Sequence, residues 1–129
     1  MSYDIFPYRF VQGAAAPMDM KLAYEVLDPH AVARSPEHDF LQLRTGDHGT
    51  ADVYLNENGM MINHFGGERV MDLVAELLKR LEAVLLLPDS TVIITREKDR
   101  EHLPQELLDA CSVVVASTGR AITQAVQAS

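Results

Sequence analysis

Tryptophan is absent from this 129-residue chain, and phenylalanine and tyrosine bring the aromatic share to only 6%. A base-stacking platform for single-stranded nucleic acid needs several exposed rings, so the chain is poorly supplied for one. A basic excess is missing too: eleven Lys and Arg stand against nineteen Asp and Glu, a formal charge of −8. Phosphate-backbone binding draws its affinity from clustered cations, and this balance argues against nucleic acid as a partner. Cysteine occurs once, as Cys111, which excludes an internal disulfide and suits a reducing compartment. The longest apolar run, residues 83–87, is far too short to span a bilayer. The opening Met1-Ser2-Tyr3-Asp4 has no basic segment leading into an apolar one, so no secretory leader is read. These shortages lead to the expectation of a soluble cytoplasmic protein without a membrane or nucleic-acid partner.

What is present fits one domain over residues 1–129. Apolar residues make up 47% and charged ones 23%, ordinary for a globular chain long enough to bury a core. Both halves are acidic, residues 1–64 with nine acids to four bases and residues 65–129 with ten to seven. Such a surface favours solubility and a basic protein partner.

Hydrophobic spacing orders the chain. Residues 3–11 are aromatic and β-branched and predict a strand, with Pro7 marking an edge or a bulge. Residues 12–16 read as a loop, and Pro17 opens a helix that Asp28-Pro29 stops after Leu27. Residues 29–37 read as the least regular segment, a mobile loop. Strands at 39–45, 50–56 and 60–65 form a meander. Asn58-Gly59 predicts a two-residue type I′ turn, because both central positions of that turn need positive φ. This register places Leu43 opposite Val53, Leu41 opposite Leu55, Leu55 opposite Ile62, and Val53 opposite His64. It leaves Gln42, Arg44, Asp52, Tyr54 and Asn63 on a partly wetted face. Val70, Leu73, Val74, Leu77, Leu78, Leu81 and Leu85 then predict a helix from Glu68 to about Leu86. Its apolar stripe suits a core under the sheet and equally permits a homodimer. Buried-type strands at 91–95 and 112–117 flank a short helix from Leu103-Pro104, and Thr118 caps a closing helix. The fold class is α+β: an antiparallel β-meander followed by a βαβα unit, one mixed sheet covered by helices.

Two places carry candidate chemistry. His64 points to the apolar face of the predicted pairing, beside the start of the long helix. It reads as a general base or ligand held near helix amides, or as a core-edge histidine satisfied by backbone. Ser117-Thr118-Gly119-Arg120 follows a strand and opens a helix, where free amides and the dipole favour an anion. Adjacent parallel strands bring Thr95 and Arg96 to the same end, and the six residues together form a cradle for phosphate or carboxylate. Helix capping by Thr118 accounts for the same motif.

Elsewhere the patterns point to structure. Arg96-Glu-Lys-Asp-Arg-Glu101 alternates in sign and reads as a solvated segment. Cys111 lacks a cationic neighbour and reads as buried and inert. The histidines, His30, His38, His48, His64 and His102, have no metal-ligand spacing, and neither a metal nor another cofactor is expected. No G-x-S-x-G is present, and no pair of carboxylates stands out. The expectation is an acidic interaction or regulatory domain without catalysis, in one form an inhibitor of a basic protein. The alternative is binding, or weak turnover, of a small anionic ligand at the carboxyl ends of strands 91–95 and 112–117.

Overall fold

The computed structural model describes residues 3–128. Met1 and Ser2, part of the opening in which no leader is read, and Ser129 lie outside the described residues. The elements are β1 (Phe6–Val11), β2 (Ala14–Ala16), α1 (Met20–Leu27), β3 (Ala31–Ser35), β4 (Phe40–Arg44), β5 (Thr50–Tyr54) and β6 (Met61–Gly66). They continue with α2 (Glu68–Leu81), β7 (Val84–Leu87), β8 (Thr91–Ile94), α3 (Gln105–Ala110), β9 (Ser112–Val115) and α4 (Gly119–Ala128).

The fold is α+β, and its strands divide between two sheets. A mixed sheet runs β2-β1-β7-β8-β9, and an antiparallel sheet runs β3-β4-β5-β6. A short antiparallel bridge joins them. Ile5 and Ile62 exchange both backbone hydrogen bonds at 2.9 Å, and the Met60 amide donates to the Pro7 carbonyl at 3.0 Å. Pro7 has no N–H to return, so this ladder stops there and the sheet is interrupted instead of continuous.

The expected parallel pair is present, with Thr91 to Ile94 aligned on Ser112 to Val115. Val92, Ile93 and Ile94 are fully enclosed, as a buried-type strand requires. β9 differs: it is the outermost strand, and Val114 and Val115 remain exposed. Three strands lie where other structure is expected. β2 forms a hairpin with β1 across the predicted loop 12–16. β3 pairs with β4 where a mobile loop is expected, its Pro29 and Pro36 marking the borders of a strand and not disorder. β7 occupies the end of the predicted long helix. Helix α2 stops because Glu82 takes a left-handed φ of 53° and the Ala83 amide returns to the Leu78 carbonyl at 2.9 Å. This is a Schellman-type end with a glutamate where glycine is usual, so composition carries no signal of it.

In the meander both predicted registers are two residues out. Leu41 pairs with Val53, Leu43 with Ala51, and Val53 with Ile62. An even shift keeps paired side chains on their face, so Leu41, Leu43, Val53, Leu55 and Ile62 are buried as expected. The Asn58-Gly59 turn is not type I′, since neither residue has a positive φ. Leu55 and Met60 leave the ladder for Asp39 and Pro7, and the turn closes from the Gly59 amide to the Asn56 carbonyl at 3.2 Å. Glycine serves there by leaving room: a Cβ on Gly59 would meet the Tyr8 ring at 2.5 Å.

The main core lies where α1, α2 and α4 cover one face of both sheets. A second cluster, Val84, Val92, Ile94 and Leu103, fills the other face of the mixed sheet beneath a 3₁₀ segment, Glu97–His102, and α3.

Asp47, in the β4–β5 loop, holds the start of α2. Gly67 at the N-cap has no side chain to accept from the first turn. The Asp47 carboxylate does so from a distance, accepting from the Arg69 amide at 3.1 Å, the Gly49 amide at 3.1 Å and the Thr45 hydroxyl. The Thr45 hydroxyl first, and then the Arg69 amide, hold its carboxyl well below the ordinary carboxylate range. A depressed folded value means that this stabilisation is present at neutral pH and is lost as pH falls through the folded value. Asp47→Ala is therefore expected to lower the thermal midpoint at pH 7 by roughly 4 °C, the scale of one lost cap. The difference from wild type should shrink as the melts are repeated toward pH 2.

Candidate functional site

His64 does not face the apolar side. β6 carries one extra residue against β5, since Asp52 pairs with Asn63 whereas Thr50 pairs with Gly66. His64 lies in this bulge with a left-handed φ of 50°. The bulge turns its ring outward, leaving the side chain 60% exposed with Nδ1 2.7 Å from Asp52 Oδ2. A carboxylate orienting an imidazole is the beginning of a general-base arrangement. The dyad stands on the open face of the four-stranded sheet, however, away from the hollows that the other candidate residues line.

The six cradle residues are distributed over different places. Thr95 is buried and does not line the hollows bordered by the other five. Arg96 lines a hollow of about 330 Å³ with Arg9, Lys98, Glu82, Asp99 and Glu101, three cations against three carboxylates. Its guanidinium pairs with Asp99 at 3.0 Å, and Arg9 pairs with Glu82 at 3.4 Å. His102 on the same wall accepts the Gln12 amide at Nδ1 (3.0 Å), which places its ring proton on Nε2. The alternating run also neutralises itself: a hydrogen bond from Arg100 holds the Glu97 carboxyl below its ordinary value.

Ser117, Thr118 and Gly119 border a second hollow with Asp72, Glu76 and Lys79, and Arg120 borders a third with Glu68, Asp72 and Thr123. The Thr118 hydroxyl caps α4 by accepting from the Ala121 amide at 3.1 Å. Gly119 lies directly against α2. A Cβ there would overlap Asp72 and reach the Met71 carbonyl carbon at 2.7 Å. The Asp72 carboxylate therefore lies at the start of α4, where an incoming anion would meet its negative charge.

A different surface emerges around that point. Glu68, Asp72 and Glu76 are exposed at successive turns of α2, and none makes an ion pair among the described residues. Asp72 borders three hollows, the last one also lined by His30, Thr45, Gly46 and Arg69. The charge is also unevenly divided. All nineteen acids precede Ala110, and residues 110–129 carry Arg120 alone. Halving the chain at its midpoint hides this division, which a scan for acid-free runs reveals. Among the described residues no group of three His, Cys, Asp or Glu could hold a metal ion, and no helix is long and apolar enough to cross a membrane.

Two substitutions test these placements. Gly119→Ala forces α4 away from α2 and is expected to cost about 1–3 kcal/mol in urea unfolding, an overpacking penalty. His64→Gly removes the left-handed strain along with an exposed bond and should change stability by less than about 1 kcal/mol. Comparison of this chain with protein-family models, curated proteins and solved structures finds no significant match.

Proposed function

We propose that the chain is a non-catalytic interaction domain that presents an acidic surface to a basic protein partner, as a stoichiometric inhibitor would. The observation that carries this reading is the ridge Glu68, Asp72 and Glu76, three exposed carboxylates on one face of α2 that make no ion pair among the described residues. Glu68 in the first turn suits the helix dipole, but like charges four residues apart weaken a helix slightly, so helix stability does not explain the row of three. A cationic partner would relieve that repulsion, and the net charge of −8 would speed its approach in a salt-dependent way. The hollows on either side of the ridge offer relief into which lysine and arginine side chains can reach.

Isothermal titration against a panel of cationic proteins and lysine-rich peptides tests this. Glu68→Lys with Glu76→Lys is expected to weaken the tightest complex about tenfold or more, and higher salt should weaken it further. The same charge change at Glu37 and Glu106, also exposed but off the ridge, should matter far less. Equal losses in the two double variants would reduce the effect to bulk charge and overturn the site. A thermal-shift response to phosphate, nucleotides or carboxylates that Arg120→Ala abolishes would favour the anion-binding alternative.

A further inference from the structure

Sheet edges invite pairing with other chains, and proteins normally guard them with charge, proline, bulges or brevity. Three of the four edges here are managed in this way. β2 is three residues long and Pro17 follows it. β3 carries Arg34, is bordered by Pro29 and Pro36, and is bulged around Val32. β6 is joined to β1 at Ile62 and bulged beyond it at His64. β9, four residues long, has no charge, proline or bulge to guard it. Residues 111–118 contain no charge, no proline and no glycine, and Val114 and Val115 are 37% and 46% exposed.

The direction of the open groups follows from the closed ones. The Ser112 amide donates to Ser90 at 3.0 Å and the Ala116 amide to Ile94 at 2.9 Å, both toward β8. Alternation along a strand then turns the N–H and C=O of Val113 and Val115 outward.

We propose that β9 pairs with β9 of a second copy, antiparallel, about a two-fold axis at Val114. In that register Val113 of each copy exchanges both hydrogen bonds with Val115 of the other, and the two Val114 side chains face one another as a non-hydrogen-bonded pair. All outward valine amides and carbonyls find partners, and the exposed valines cover one another. The charge division selects this occupant. Any second copy brings a net charge of −8, and the acid-free segment after Asp109 is where it can approach without setting carboxylate against carboxylate. A lysine-rich strand would find no acid on β9 to receive it. The interface is closed by symmetry, and the edges left over are the guarded ones, so assembly stops at two.

Sedimentation velocity from about 10 to 500 μM tests the pairing, since a strand-sized interface is small and weak. The mass is expected to rise from 14.3 kDa toward twice that value with concentration. Val115→Pro removes only an outward N–H, so it should keep the wild-type melting curve and stay monomeric. Val114→Lys and Val114→Glu should each be monomeric alone, and an equimolar mixture should regain the dimer, because the axis sets position 114 against itself. A wild-type chain monomeric throughout the range overturns the proposal, as does a dimer that survives Val115→Pro. So does a lysine–glutamate mixture that stays monomeric. Stable protection of the Val113 and Val115 amides only on addition of a foreign strand peptide would give the edge to another partner and equally overturn it. These variants leave the α2 ridge untouched, so this test is independent of binding to cationic proteins.

Discussion

Burial of one face of α2 is the constraint on which the remaining packing rests. Val70, Met71, Leu73, Val74, Ala75, Leu77, Leu78 and Leu81 are all buried, within a fourteen-residue helix. Each of the larger side chains contributes about 1.5–3 kcal/mol in transfer from water. The helix lies between α1 and α4 and closes the core over both sheets. Its rotation is therefore fixed by the apolar stripe, and its ends by other means. Asp47 supplies an acceptor to the first turn, and the left-handed Glu82 turns the chain straight into β7. Once the stripe faces inward, Glu68, Asp72 and Glu76 have only one direction left, outward. The acidic ridge is a geometric consequence of the core.

The legible parts of this fold are those where one period dominates. The stripe of α2, the alternation of Leu41, Leu43, Val53 and Ile62, and the enclosed run Val92-Ile93-Ile94 each imply one element and one buried face. Registers were less legible, because a shift of two residues satisfies the same alternation and only contacts with Asp39 and Pro7 choose between the alternatives. β7 was hidden because Leu85 continues the helical spacing of Leu77, Leu78 and Leu81, while the residue that ends the helix is a glutamate. β3 was hidden because two prolines and few large apolar residues resemble a loop, and its pairing with β4 is tertiary information.

The candidate site was legible only in pieces. Capping by Thr118 and the strand before it are readable, but the separation of Thr95, Arg96 and Arg120 into different places follows only from where α4 lies. Gly119 decides that position by allowing contact with Asp72, and nothing local to Gly119 announces a partner 47 residues earlier. Strand alternation puts His64 on the opposite face from the one it occupies for a related reason: a single inserted residue in β6 reverses the direction of its side chain. Charge division, by contrast, is fully present in the sequence and depends only on where the chain is cut for counting.

The bridge between Ile5 and Ile62, together with the pairing of Phe6 to Tyr8 with Val84 to Leu86, has a consequence for the order of events during synthesis. β1 and the bridge residue before it are flanked by strands made roughly sixty and eighty residues later. Arg9 to Val11 can form a local hairpin with Ala14–Ala16 at once, but the long-range partners of Phe6 to Tyr8 do not yet exist. A nascent chain therefore carries an unpaired aromatic strand until most of the domain has emerged, and closing such distant contacts is the slow step in topologies of this kind. β1 is made well before these partners and can take its final place only late.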